Sequence, residues 1–144
     1  MEFLTSRTIR IPNTNPRSMK RFPEVNACVC DLCKGTFKPS EVEVDHIQGN
    51  HSLKSMEDLQ KFVQSIIETD MEGLQIACKD CHKTKSHAEK KGISFNEAKA
   101  EKIAIALVKS KKDKEWLLER GITPDSTGAK RRKQIEKEVL DGQT

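Results

Sequence analysis

Four cysteines form two pairs whose spacing suits a single metal ion. Cys30 and Cys33 make the first CxxC pair, and Cys78 and Cys81 make the second, with 44 residues between the pairs. A CxxC turn lets two thiolates reach one tetrahedral ion, and two such turns complete a closed site with metal–sulfur bonds of about 2.3 Å. Gly35, shortly after the first pair, suits a tight turn. We therefore expect a structural zinc ion.

The fifth cysteine leaves alternatives open. Cys28 is two positions from Cys30 and can replace it as a ligand, although a small core or surface thiol is the simpler role. The stretch from Cys78 to His82 also has the CxxCH form of a haem-attachment motif, and a single CxxC pair can be a redox dithiol. The presence of two pairs favours the metal site over both of these.

Asp45, His46 and His82 are of types that can perform metal-assisted acid–base chemistry. Adjacent residues of a strand point to opposite faces, so Asp45 and His46 can serve two different partners. A neutral imidazole, whose ordinary pKa is about 6.5, can take a proton from water at neutral pH. A carboxylate and a second imidazole can hold a divalent cation. An Asp-His pair alone is ordinarily only a turn, but here it lies between the two CxxC pairs.

Short elements must position these side chains. Residues 41–45 alternate, with Val42 and Val44 on one face, and predict a short half-buried strand. Residues 73–77 predict a second strand or approach segment, and a helix follows from about residue 79 to Gly92. Between the strands, helical spacing from a cap at Ser55 predicts an inserted helix whose apolar positions are Leu59, Phe62, Val63, Ile66 and Ile67.

The C-terminal third is predicted to be helical. Ser94 and Glu97 form a capping box, so a helix begins there and extends towards Gly121, with polar residues 109–114 able to break it in two. Residues 130–140 carry a thin apolar stripe of Ile135 and Val139. We expect this last helix to be marginal or frayed unless it is bound to a ligand.

Composition and charge divide the chain into three parts. Of the 144 residues, 35% are hydrophobic and 33% are charged, so the core must be modest and a metal would help to hold it. We assign a basic N-terminal arm to residues 1–27, in which Pro12, Pro16 and Pro23 break regular structure, a metal-braced core to residues 28–92, and a basic helical extension to residues 93–144. The flanks each carry +3 and the core −2, which would place nucleic acid on the flanks and a cation in the centre.

Several spaced motifs together resemble the HNH endonuclease family. They are Cys30-x-x-Cys33, Val44-Asp45-His46-Ile47 and Leu74-Gln75-x-x-Cys78-x-x-Cys81-His82-x-x-Lys85. The resemblance covers about residues 28–88, and the small size and basic flanks are similar to HNH proteins of bacteriophages. It implies an α+β fold in which a small ββα-metal core is stapled by a four-cysteine zinc ion, with an inserted helix and C-terminal helices.

The resemblance also implies a function, a metal-dependent DNA endonuclease that nicks or cleaves by hydrolysing phosphodiester bonds. His46 would be the general base, and Asp45 and His82 would hold one catalytic Mg²⁺ or Mn²⁺, with Ni²⁺ or Zn²⁺ as alternatives. The products would carry a 5′-phosphate and a 3′-hydroxyl. The other candidate DNA contacts are basic residues of the core and flanks, namely Lys85, Arg7, Arg10, Arg17, Lys130, Arg131 and Arg132.

One position departs from the family pattern. Gly73 stands where the family has the asparagine that braces the loop of the general base, and Asn50 or Gln48 are candidates to replace it. His51 has no assigned role. His87 is five residues beyond His82 and points away from it on a helix, so we expect a surface histidine that is at most a weak DNA contact.

A second function remains open, a non-catalytic zinc-containing module that binds nucleic acid or protein. The presence of Asp45, His46 and His82 together favours the nuclease. The expected partners are DNA and a larger DNA-processing or packaging complex, with no membrane, and the oligomeric state and target site stay open. No secretory signal or membrane span is evident, so we expect a cytoplasmic protein, in the host cytoplasm if phage-encoded.

Overall fold

The computed structural model describes residues 2–48, 55–60, 63 and 71–142. It contains both helices and strands, in agreement with the predicted α+β class, and the chain divides into two compact units, residues 1–83 and 84–144. In chain order the elements are α1 (Glu2–Ser6), β1 (Thr8–Pro12), β2 (Glu24–Val29), β3 (Thr36–Phe37), β4 (Val42–His46), β5 (Leu74–Cys78), α2 (Lys79–Lys91), α3 (Phe95–Lys109), α4 (Asp113–Leu118) and α5 (Gly128–Asp141).

The N-terminal residues form a sheet, so the prediction of an irregular arm is wrong. β1 pairs antiparallel with β2, from Thr8 opposite Cys28 to Pro12 opposite Glu24, and β2 pairs with β3. Pro12 and Pro23 lie at the ends of the strands instead of inside them, and Pro16 lies in the loop between β1 and β2. Pro12 closes β1 and Pro23 directly precedes β2, positions where a missing amide hydrogen costs the sheet little.

A second, two-stranded sheet carries the candidate catalytic residues. β4 and β5 are antiparallel, with Asp45 opposite Gln75 and His46 opposite Leu74, and α2 follows β5 without a gap. The prediction of a strand here is confirmed. The prediction that one face of this strand is buried holds for Val42, which is 7% exposed, but not for Val44, which is 43% exposed.

A small core lies in the first unit. Cys28, Val42 and Ile76 are buried together, and Phe3, Leu4 and Phe37 pack against them. Cys28 is therefore a core thiol, which is the simpler of the two roles predicted for it. A cluster of this size, among the described residues of the unit, gives limited stabilisation, so a bound metal ion would add a valuable constraint.

The second unit is a set of packed helices, and the prediction that its last helix is marginal is wrong. Ile135 of α5 is fully buried against Ala104 and Leu117, with Val139 partly buried beside them. The apolar stripe of α5 is narrow, but two other helices cover it. Packing against neighbours, which a single helix's pattern does not reveal, provides most of a helix's stability.

Helix boundaries largely follow the predicted signals. Ser94 Oγ accepts from the amide of Glu97, and the Ser94 amide donates to Glu97 Oε2, so the predicted capping box is confirmed. The polar stretch does break the helix in two, between α3 and α4, where Lys111 has a φ of +60°. Gly92 and Gly121 end their helices with φ of +66° and +72°, a conformation that glycine adopts without a steric penalty.

The inserted helix is only partly described. Residues 58–60 and 63 are helical, and the amide and hydroxyl of Ser55 both donate to Asp58 Oδ2 at 3.1 Å. Leu59 and Val63 are 38% and 42% exposed, more than an apolar stripe predicts. The predicted positions Phe62, Ile66 and Ile67, with Asn50 and His51, lie outside the described residues. Within the described segments, no helix combines the length and apolar character needed to cross a membrane.

Candidate metal centre and active site

The four paired cysteines meet in one cluster. The Sγ atoms of Cys30, Cys33, Cys78 and Cys81 all lie within 4.8 Å of one another. A tetrahedral zinc ion with bonds of about 2.3 Å would separate its sulfur ligands by roughly 3.8 Å, so the cluster fits such an ion. Across the described residues, no other group of three or more His, Cys, Asp or Glu side chains is this close. The cluster can hold a structural metal ion.

The first CxxC turn is a compact knuckle. The Lys34 amide donates to the Cys30 carbonyl, and the Cys30 amide donates to the Gly35 carbonyl, both at 2.9 Å. Lys34, with a φ of +59°, takes the left-handed conformation of the turn. Gly35 is needed because a side chain at this position would not fit. A Cβ on Gly35 would lie 2.9 Å from the Phe37 ring and 3.4 Å from Cys33 Sγ.

Backbone amides point at the sulfur atoms. The Cys78 amide donates to Cys30 Sγ at 3.3 Å, and the Cys81 amide, in the first turn of α2, donates to Cys78 Sγ at 3.5 Å. Burial raises the pKa of the Cys30 thiol, but the amides of Cys78, Cys33 and Leu32 outweigh it and lower the pKa to about 7. Burial raises the pKa of Cys33 and of Cys81. A bound cation would favour the thiolate form of all four.

Asp31, inside the first CxxC pair, ties the knuckle to β5. Its amide donates to the Ile76 carbonyl, and its Oδ2 accepts from the Ile76 amide, each at 2.7 Å. Its Oδ1 also accepts from Arg7 Nη2 at 2.6 Å. Asp31 is not predicted from the sequence, because nothing in the spacing of the chain indicates a partner 45 positions away. Arg7, predicted to contact DNA, pairs with this carboxylate and stays 47% exposed.

Two carboxylates and one imidazole meet beside β4. His82 Nδ1 lies 2.5 Å from Glu43 Oε2, and His82 Nε2 lies 3.7 Å from Asp45 Oδ1. Gln75 Nε2 donates to Asp45 Oδ2 at 3.0 Å. Glu43 and Asp45 are two residues apart on a strand and so share a face, which the first turn of α2 covers with His82. The structure thus brings the predicted Asp45 and His82 together.

Glu43 is the functional candidate that sequence reasoning missed, although its i, i+2 spacing to Asp45 was a visible signal. When the neutral His82 ring donates its Nδ1 proton to Glu43, its Nε2 carries a lone pair that faces Asp45. Two acceptors then face one another at 3.7 Å. Two ligands bound at about 2.1 Å to one ion can be separated by this distance, so the arrangement suits a shared cation.

His46 ends β4 and is partly buried. Strand alternation directs it to the face opposite Asp45. Gly73, at the position where the resemblance to the HNH family implies an asparagine, accepts at its carbonyl from the Ile47 amide at 2.9 Å. This backbone bond braces the chain directly after His46. Of the two predicted substitutes for the asparagine, Gln48 is exposed.

Most of the predicted DNA-contacting side chains have carboxylate partners. Arg131 donates to Asp113 at 2.5 Å with both side chains largely buried, so it is a structural residue. The other pairs are partly exposed, and exposed ion pairs contribute little to stability, so their cations can exchange partners. They are Arg10 with Glu24, Lys130 with Asp125, Arg132 with Glu136 and, in a more buried setting, Lys85 with Glu89.

Arg17 and His87 are the remaining candidates for DNA contact, and their surroundings differ. Arg17 lies on an exposed turn. His87 Nε2 lies 3.0 Å from Glu101 Oε2, on a side of α2 that faces α3, so it has a structural partner and no place in the cluster at His82.

Comparisons with protein-family models, with curated proteins and with solved structures find no match to this chain. Any functional conclusion therefore depends on the arrangement of these side chains.

Proposed function

We propose that the protein is a metal-dependent DNA endonuclease of the HNH type, which hydrolyses phosphodiester bonds with a water molecule activated by His46. The approach of Asp45 Oδ1 to His82 Nε2, at 3.7 Å, carries the proposal. The two residues are 37 positions apart in sequence, and both are types that bind divalent cations. A scaffold that only binds a partner has no need of this pairing.

The order of elements around the pair supports the same conclusion. Two antiparallel strands are followed at once by a helix, the order that the resemblance to the HNH family implies. Cys78 ends β5 and Cys81 lies in the first turn of α2. A structural zinc ion at the cysteines would hold the strand end against the helix start, and so would fix His82 relative to Asp45.

Each residue of the proposed site has one task. Gln75 donates to Asp45 and orients its carboxylate. Glu43 accepts from His82 Nδ1 and so directs the Nε2 of His82 towards Asp45. The bound Mg²⁺ or Mn²⁺ would supply Lewis acidity. His46 removes the proton of the attacking water. The N-terminus of α2, a 13-residue helix, favours the negative charge of the scissile phosphate.

Nicking of supercoiled plasmid with Mg²⁺ or Mn²⁺ tests the proposal. The parent protein is expected to nick, and His46→Ala is expected to lose at least about 100-fold, the usual contribution of a general base. His82→Ala should lose activity similarly. His87→Ala is the matched control, since that histidine pairs with Glu101, and it should nick like the parent. Zinc content and circular dichroism of each variant verify that the fold is retained.

The outcomes separate the two functions considered. Nicking that survives His46→Ala would reject the assigned base. An absence of cleavage with every divalent ion tried, from zinc-loaded protein that still binds DNA, would instead favour a non-catalytic zinc-containing module.

A further inference from the structure

The loop between β1 and β2, residues 13–23, carries concentrated positive charge. It contains Arg17, Lys20 and Arg21 and no acidic residue. All three side chains are exposed. None of the ion pairs within the described part of the chain involves them, in contrast to Arg7, Arg10, Lys130, Arg131 and Arg132.

The loop is ordered by its own backbone. The Asn15 carbonyl accepts from the amides of Ser18 and Met19, at 3.1 and 2.9 Å. The Ser18 carbonyl accepts from the amides of Arg21 and Phe22, at 3.0 and 2.8 Å. These bonds to the third and fourth residues along the chain are those of a helical turn.

A buried side chain fixes this turn to the sheet. Asn13 is 8% exposed, and its Nδ2 donates to the Phe22 carbonyl at 2.7 Å and to Ser18 Oγ at 3.1 Å. The backbone amide of Asn13 donates to the Pro23 carbonyl at 2.8 Å, which closes the loop where β2 begins. The loop therefore keeps its shape without a ligand, and binding one would cost little ordering entropy.

The turn places three like charges on one face. Arg17, Lys20 and Arg21 are at positions i, i+3 and i+4, which are neighbours on a helical turn. Like charges at this spacing destabilise the fold slightly when nothing neutralises them. Arg21 also lies 5.3 Å from the centre of the Phe22 ring, which is 55% exposed. A preformed, unneutralised cationic face is suited to a polyanion.

β2 connects this face to the metal centre. The strand begins at Glu24, just after the loop, and ends at Val29, directly before the ligand Cys30. Six strand residues span roughly 20 Å at about 3.3 Å each. Because β2 pairs with strands on both sides, the loop and the metal knuckle are joined by a stiff element of the same compact unit.

We propose that the 13–23 loop contacts the phosphate backbone of duplex DNA, an inference that rests on the proposed nuclease function. Two of its three cations are arginines, whose planar fork pairs with two phosphate oxygens at once. An anionic membrane would also attract the charges. Membrane binding, however, requires a larger apolar face than the exposed Met19 and Phe22 provide.

The test compares two triple variants that remove equal charge, both made in the His46→Ala protein so that DNA stays intact. R17Q/K20Q/R21Q removes the loop cations, and K109Q/K112Q/K114Q removes three exposed lysines of the helical unit. Fluorescence anisotropy with a short labelled duplex, at salt from about 50 to 200 mM, gives the dependence of binding on salt. The slope of log K against log salt should fall by about 3 for the loop variant, because each cation that neutralises a phosphate adds about 1 to the slope.

The control triple variant should keep a slope close to that of the His46→Ala protein. R17K/R21K, which keeps the charge, should keep the slope as well. Equal slopes for the loop variant and the control triple variant would overturn the proposal. So would loss of binding to phosphatidylserine vesicles in the loop variant with DNA binding unchanged, since the surface would then be a membrane contact.

Failure of this inference and failure of the nuclease function can be told apart. If the parent nicks plasmid but the loop variant binds DNA with an unchanged slope, the loop assignment alone is overturned. If the parent does not nick but the slope depends on the loop, the DNA-contact surface is supported and the nuclease assignment fails.

Discussion

Glu43 Oε2 lies 2.5 Å from His82 Nδ1, so a strand residue fixes the orientation of an imidazole at the start of α2. Outer partners of this kind hold a metal-binding histidine in one tautomer and orientation. Glu43 and Asp45 contact opposite nitrogen atoms of the same ring, one as an orienting group and the other as a proposed co-ligand.

Glu43→Gln is expected to weaken Mn²⁺ binding by about 10- to 100-fold, the usual effect of removing such a partner. The amide can still accept from His82 Nδ1, but it lacks the negative charge of the carboxylate, so it holds the imidazole in its metal-binding tautomer less strongly. Isothermal titration calorimetry with zinc-loaded protein measures the affinity directly, without reference to cleavage. Glu119→Gln, directly after α4 and 65% exposed, is the control. Equal Mn²⁺ affinity in both variants would exclude an orienting role for Glu43.

The local parts of this site could be predicted from the sequence. CxxC spacing is set by a single turn, and the alternation at residues 41–45 is set by a single strand, so both are visible in the sequence. The capping box at Ser94 and the glycine at position 92 are also local signals, and both were predicted correctly.

The features that were missed depend on partners distant in sequence. Asp31 contacts Ile76, Glu43 contacts His82, and Ile135 is buried against Ala104 and Leu117. The residue spacing within one segment does not show which distant group a carboxylate will contact. It also does not show which other helices will bury the apolar stripe of a helix. The N-terminal sheet is not predicted for another reason: in the sequence alone, a proline that bounds a strand looks the same as one that interrupts it.

Asp31→Ala is expected to destabilise the zinc-loaded protein by about 1–3 kcal/mol, because it leaves the Ile76 amide without its side-chain acceptor. Arg7→Gln removes only the ion pair and leaves Asp31 bonded to the Ile76 amide. Because the arginine is 47% exposed, this change should cost less than about 1 kcal/mol. Urea unfolding of both variants gives the comparison. A cost for Arg7→Gln as large as that for Asp31→Ala would mean that the ion pair, and not the backbone contact, anchors the knuckle.

Cys78→Ser is expected to abolish stoichiometric zinc and to unfold much of the first unit, because the small core formed there by the described residues would need the constraint that a bound metal supplies. Cys28→Ala is the matched control. Its sulfur is fully buried in the core and does not belong to the cluster of four, so this variant should retain one zinc ion per chain and lose only a small amount of stability. Zinc content by elemental analysis and far-UV circular dichroism measure the two effects. Loss of zinc in Cys28→Ala would assign that thiol to the metal site.

The ion pair between Asp113 and Arg131 should make the helical unit sensitive to acid. The hydrogen bond from the Arg131 guanidinium outweighs burial and holds the pKa of Asp113 below its ordinary value of 3.8. A carboxyl with a lowered pKa in the folded state stabilises the fold above its unfolded pKa, and the contribution is lost as the pH falls through the folded value. Asp113→Asn is therefore expected to cost about 3 kcal/mol at pH 7, since it leaves a largely buried guanidinium without its counter-charge.

The difference in unfolding free energy between the parent and Asp113→Asn should shrink as the pH falls below about 3.8, where the Asp113 carboxyl of the unfolded parent takes up a proton, and it should be lost as the pH falls through the lower pKa of the folded state. Urea unfolding at several pH values, followed by the fluorescence of Trp116 in the adjacent core, measures it. Lys130→Gln, which removes a partner of the more exposed Asp125, is the control and should show little change at any pH. A constant difference between the parent and Asp113→Asn from neutral to acid pH would mean that packing around residue 113, and not its charge, holds α5 in place.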